Sequence, residues 1–264
     1  MGKEGGLALA YGFSHNCCLI QYLNLKSVTL GNEEVNLLAS SLQDYLYLLH
    51  LDLSSNMLEG PRGGTVVSRI LSRKCYLRGG QDIEFLNLAN NKLGSGGFAA
   101  ITQQLIVNNY ENLTLNVAYN GIEEIHLLVA FNTSADLIFD VCNLNLEGNV
   151  IRPRYFYKLA ALLSHATMLA RLNLNKCKLG DEGLQITFSA LEGLRKLTKI
   201  DYSNNNIFDH GISKIGLLLG RNVKSTLRSI KFNQNQITDQ GLMSLLQWIE
   251  KRHNCIAELS FIEN

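Results

Sequence analysis

Apolar side chains recur along this chain in a fixed frame. In LARLNLNKCKLGDEG, residues 169–183, leucines stand at Leu169, Leu172, Leu174 and Leu179, polar residues fill the gaps, and Cys177 precedes a Gly-terminated tail. Alternation over Leu172–Leu174 predicts a short strand with one apolar and one polar side. The frame can be laid over the chain nine times, with first positions at Ile20, Leu48, Ile83, Asn112, Asp136, Leu169, Leu197, Leu227 and Ile256. Three residues on stand Leu23, Leu51, Leu86, Leu115, Phe139, Leu172, Ile200, Ile230 and Leu259. Five residues on stand Leu25, Leu53, Leu88, Val117, Val141, Leu174, Tyr202, Phe232 and Phe261. Chance does not match all three columns nine times over.

The ninth column reads Val28, Asn56, Asn91, Asn120, Leu144, Cys177, Asn205, Asn235 and Asn264. A buried amide is suited to a sharp turn, because it can pair backbone groups that the turn strands. Past the turn the period changes. Leu184/Phe188/Leu191, Ile212/Ile215/Leu219 and Leu242/Leu245/Leu246/Ile249, each set following a glycine (Gly183, Gly211, Gly241), form helical stripes that pack on the strand layer. Each unit is therefore strand, turn and helix, and stacked units bury one continuous core.

Units of 28–29 residues with helical outer sides and a GDEG loop at Gly180–Gly183 resemble the ribonuclease-inhibitor-like class of leucine-rich repeat proteins, across essentially the whole chain. The resemblance implies an α/β fold: one right-handed solenoid over residues 1–264, bent into a horseshoe of about nine repeats, with a parallel sheet on the concave face and helices on the convex face. It implies binding rather than catalysis, although the class spans inhibitors, immune sensors, GTPase activators and cytoskeletal or ciliary scaffolds.

Irregular spacing marks two places. The second unit runs to 35 residues. Pro61, Gly63 and Gly64 there predict a loop before a helix from about Thr65, and Arg78, Gly79 and Gly80 a second loop. Gly94–Gly97 likewise reads as a post-strand loop. The fourth unit shrinks to 24 residues, with room for only a short helix, and the fifth expands to 33. This predicts disturbed curvature near residues 120–155. Gly6 lies 14 residues before Ile20, as Gly183 does before Leu197. The chain therefore opens in the helical half of a preceding unit. Neither end shows a polar cap, which suggests a piece of a longer protein or ends covered by a partner.

Bulk properties narrow the function. Net charge is +1, which gives no drive toward nucleic acid or an anionic membrane. No run of about 18 apolar residues marks a membrane span, and the amino terminus is not a secretory signal. Six cysteines (17, 18, 75, 142, 177 and 255) contain no CxxC pair, so they read as reduced structural thiols with no metal site, in a cytoplasmic protein. No cofactor is expected. The six histidines form no catalytic motif.

The polar side of the strands supplies the candidate binding face. The column between the leucines includes Asp52, Asn87, Asp140, Asp201 and Lys231, and the flanking column Tyr22, His50, Phe85, Ile138, Arg171 and Lys199. Tyr22, His50, Phe85 and Tyr119 beside Asp52 and Asp140 have the composition of interface anchors. Arg171, Lys176, Lys199, Arg228 and Lys231, tempered by Asp201 and Glu258, form a basic strip. The leading expectation is a non-catalytic module that grips another protein by this face, with a small-molecule ligand disfavoured. The alternatives are a GTPase activator resembling the Ran-activating type, with Arg62 or Arg78 as its arginine, and a scaffold subunit of a larger cytoskeletal or ciliary assembly.

Overall fold

The computed structural model describes residues 3–14, 19–43, 45–72, 82–107, 110, 112–127, 138–221, 226–250 and 256–264. Among them, nine three-residue strands alternate with helices: α1 (Lys3–Ser14), β1 (Tyr22–Asn24), α2 (Asn32–Leu42), β2 (His50–Asp52), α3 (Gly60–Leu71), β3 (Phe85–Asn87), α4 (Gly94–Val107), β4 (Thr114–Asn116), β5 (Asn143–Asn145), α5 (Phe156–Ser164), β6 (Arg171–Asn173), α6 (Gly180–Ala190), β7 (Lys199–Asp201), α7 (Asp209–Arg221), β8 (Ser229–Lys231), α8 (Asp239–Glu250) and β9 (Glu258–Ser260). The strands form one parallel sheet in strict chain order, the arrangement of a horseshoe solenoid. The central leucine of each strand aligns with the next, as in Leu51↔Leu86 and Leu172↔Ile200.

The fifth strand corrects the frame read from the sequence. It is Asn143–Asn145, in register with Thr114–Asn116 on one side and Arg171–Asn173 on the other. The fifth unit therefore starts at Val141, not Asp136, and the units around it are 29 and 28 residues long. Pairing of β4, β5 and β6 is unbroken, so no disturbance of the strand stack arises there. Phe139 and Val141 misled the count because both are fully buried, just as strand leucines are. With the frame moved, Asn149 joins the ninth column and Leu144 becomes the buried centre of β5.

A ladder of amides holds the coils together. Asn205 Oδ1 accepts the backbone N–H groups of Cys177 (3.1 Å) and Leu179 (3.2 Å), while its Nδ2 donates to the carbonyls of Leu174 (2.7 Å) and Tyr202 (3.0 Å). Asn56 does the same toward Val28, Leu30, Leu25 and Leu53, and Asn149 toward Asn120, Ile122, Val117 and Leu146. Each amide thus pairs groups in its own coil and in the one before. Cys177 fills the same slot with a long Sγ contact to the Leu146 carbonyl, and burial pushes its thiol up to about 12. Just before this column the backbone turns left-handed in every coil. Ser27, Ser55, Asn90, Tyr119, Gly148, Lys176, Asn204, Gln234 and Glu263 have φ between +52° and +70°, a conformation that L-residues adopt only under tertiary compulsion.

The convex side differs from the sequence reading in two places. Pro61, Gly63 and Gly64 lie inside α3, and Gly94–Gly97 opens α4; neither is a loop. Proline is compatible with a first helical turn, where an unpaired N–H is expected anyway. The glycines are explained by proximity: a Cβ on Gly64 would sit 2.2 Å from the Gly97 carbonyl oxygen, so only Gly lets these helices approach. In the fourth coil, residues 121–127 are not helical. The remainder of its expected helix, like Arg78–Gly80, lies outside the described residues. Helix starts are braced by a second ladder, in which the Asp181 carboxylate accepts the Phe208 N–H and the Asp209 carboxylate accepts both the N–H and the hydroxyl of Thr238. Those hydrogen bonds hold the Asp209 carboxyl below its usual range.

Candidate interaction surface

Side chains at the first and third positions of each strand project from the face opposite the buried leucines, as in the exposed–buried–half-buried pattern of β6 and β7. The third-position column has a structural task. Asn24, Asp52, Asn87, Asn116, Asn145, Asn173 and Asp201 each accept, through Oδ1, the backbone N–H two residues further on, at 2.8–3.1 Å. These are Asx turns that end the strand. Asp52, Asn87 and Asp201 therefore commit one oxygen to the scaffold, and the second oxygen of Asp52 accepts Asn87 Nδ2 at 3.0 Å. Lys231 breaks the column, and Ser203 Oγ of the preceding coil substitutes by accepting the Asn233 N–H.

The first-position column carries little such duty. Tyr22, His50 and Phe85 form a row of ring contacts across β1, β2 and β3, Tyr22 tilted against His50 at 4.4 Å between centroids and His50 stacked on Phe85 at 5.6 Å. Tyr22 is 66% exposed, and His50 lies 4.0 Å from the Glu84 carboxylate. Further along the sheet, Arg171 and Lys199 are register neighbours and both exposed. With Lys231 they line a depression of about 370 Å³ whose floor includes Leu144, Leu172 and Ile200.

Two candidate residues behave differently from expectation. Asp140 is not on the sheet face; it is 8% exposed, ahead of β5, with Thr167 Oγ1 3.4 Å from its carboxylate. The frame error accounts for this, and it also concealed Asn143, Asn145 and Glu147, which belong to the face. Even spacing of the units and Asn149 were the signals available. Tyr119 sits at the left-handed turn position, where its ring fills the space a Cβ on Gly148 would need. Its hydroxyl donates to Glu147 Oε1 at 2.8 Å, which raises its pKa. Glu147 also accepts from Asn173 and Asn175, joining coils four to six by a polar network at the edge of the face.

On the opposite side of these coils, Glu124 is paired with Arg152, Arg154 and the Tyr155 hydroxyl. Arg62 on α3 pairs with Glu33 on α2. Among the described residues no group of three metal-ligating side chains occurs, and no helix is long and apolar enough to cross a membrane.

A family model described as Leucine Rich repeat matches residues 165–185 and 223–246. The chain is 27% identical over 186 residues to the NACHT, LRR and PYD domains-containing protein 13 of Homo sapiens, covering 67% of this chain and 17% of that protein. It is 25% identical over 256 residues to the NACHT, LRR and PYD domains-containing protein 12 of Mus musculus, covering 93% of this chain and 22% of that one. It thus spans about a fifth of the length of these curated relatives. Among solved structures, an internalin of Listeria monocytogenes aligns with 92% of this chain and 67% of its own at 17% identity, with a TM-score of 0.41.

Proposed function

Because this chain is a leucine-rich repeat protein, we propose that it acts as a non-catalytic module, one domain over residues 1–264, that grips a protein partner with its concave sheet. The observation that carries this reading is the Tyr22–His50–Phe85 row. Aromatic rings held side by side, Tyr22 exposed and His50 and Phe85 half-buried, supply large contact area at small entropic cost, the profile of interface anchors. Arg171, Lys199 and Lys231 supply charge at the other end of the face, and Asp52, Asn87, Asp201 and Tyr119 frame it. The free thiols of Cys142 and Cys177 support a cytoplasmic setting.

The test is affinity capture with the wild-type chain and with a Tyr22→Ala/Phe85→Ala variant, each followed by mass spectrometry. Proteins held by the wild type and lost by the variant, with the two melting curves alike, are the expected result. Capture of the same set by both would reject the concave site.

A further inference from the structure

Among the described residues, several arginines on the convex side are ion-paired, whereas the cations at the strand positions of β6–β8 are not. On the convex side, Arg62, Arg152 and Arg154 are each paired with a glutamate. On the concave side, Arg171, Lys199 and Lys231 form no ion pair with any described residue. The acids that share their surface are turned to internal donors: Asp201 accepts the Ser203 N–H at 2.9 Å, and Glu258 accepts the Ser229 hydroxyl at 2.7 Å. Arg171 and Lys199 are moreover directly opposite in register on β6 and β7, strands roughly 4.8 Å apart. Like charges so placed destabilise a sheet. The free protein therefore carries a repulsion that an anion seated between the two would relieve.

We propose that the Arg171–Lys199 pair, with Lys231 beside it, is the docking site for an acidic peptide segment of the partner. This deepens the concave-face reading and rests on it. Guanidinium and ammonium groups together take a carboxylate pair, one through a planar fork and the other as a point charge. Asn145 lines the same depression, and its Nδ2 donates to no described residue, so it offers a peptide carbonyl a partner. The apolar floor at Leu144, Leu172 and Ile200 accepts a side chain between the acidic ones. A nucleic-acid backbone fits worse, because it carries an unbroken row of charge and needs a long basic track, whereas this patch holds three cations flanked by Asp201 and Glu258.

The experiment is fluorescence anisotropy with three labelled probes: a short Glu/Asp-rich peptide, its Gln/Asn counterpart, and a single-stranded oligo-dT. The acidic peptide binds, its affinity falls with added salt, and the amide counterpart does not bind. Arg171→Gln/Lys199→Gln weakens the acidic peptide about tenfold or more, the range for losing a hydrogen bond to a charged group. Lys214→Gln, which removes a charge from the exposed side of α7, leaves it unchanged. The same double variant melts slightly above the wild type, a shift that general damage to the fold would reverse. Equal binding of both peptides, insensitivity to the double variant, or tighter binding of oligo-dT overturns the proposal. If acidic-peptide binding fails while capture still depends on Tyr22 and Phe85, the concave-face reading stands and this inference alone falls.

Discussion

Strands β1–β3 and β6–β8 are laid on the same backbone and differ mainly in one column. Both sets turn their central residue inward (fully buried except for the half-buried Leu23 of the end strand β1), both end mostly in Asx turns, and both are tied to the next coil by an amide in the ninth position, Asn56 and Asn91 in the one and Asn205 and Asn235 in the other. At the first strand position, however, one set carries Tyr22, His50 and Phe85 and the other carries Arg171, Lys199 and Ser229. The columns that hold the solenoid are the same in both halves, and the column facing outward is where they diverge. An aromatic, stackable surface and a cationic, self-repelling one are thus mounted on one scaffold, which suits an extended partner with an apolar part and an acidic part.

The comparison is most severely tested where the halves are held to be equal. Asn205→Ala removes the acceptor of the buried Cys177 and Leu179 N–H groups, and Asn56→Ala that of the buried Leu30 N–H and the partly buried Val28 N–H, so each is expected to cost roughly 2–6 kcal/mol at about 1–3 per group. Chemical denaturation of the two variants should give similar losses; a large loss at one and none at the other would show that the halves are held by different means. Next in size is the aromatic column: Tyr22→Ala/Phe85→Ala should weaken partner binding by about 2 kcal/mol or more, read by titration against the captured partner, with a far smaller change in melting.

Asp209→Ala removes one rung of the convex ladder and should cost about 1 kcal/mol near neutral pH, as loss of a helix-cap acceptor does. The carboxyl is held below its unfolded value, so its contribution is present above the ordinary carboxylate range and is lost as pH falls through it. Melts of wild type and variant should therefore converge in acid; a gap that widens on acidification would contradict the assignment. The smallest effect is at Lys199→Gln, where relief of the register repulsion should add a few tenths of a kcal/mol, visible as a slightly raised melting temperature that high salt abolishes.

How much of this was legible follows from what periodicity encodes. The leucine columns and the asparagine turns report burial and backbone pairing, forces that act the same way in every coil, so strands and core were readable. At residues 136–141 two buried apolar residues, Phe139 and Val141, imitated the strand pattern one turn too early. The left-handed position was unreadable because Ser, Asn, Tyr, Lys, Gln and Glu all occupy it; tertiary hydrogen bonds, not intrinsic preference, impose that conformation. The glycines of α3 and α4 read as loops because glycine is a poor helix former, and only the helix–helix approach reveals their use. On the concave face, Asp52, Asn87 and Asp201 looked available because sequence does not show which oxygen an Asx turn consumes.

The most direct measurement compares two tyrosines of like exposure on opposite faces, Tyr22 at 66% on the sheet and Tyr157 at 70% on α5. A photo-crosslinking phenylalanine analogue placed at each position, irradiated in the presence of the captured partner, should yield an adduct from position 22 and none from position 157. Adducts from position 157 with none from position 22 would place the partner on the helices and contradict the account.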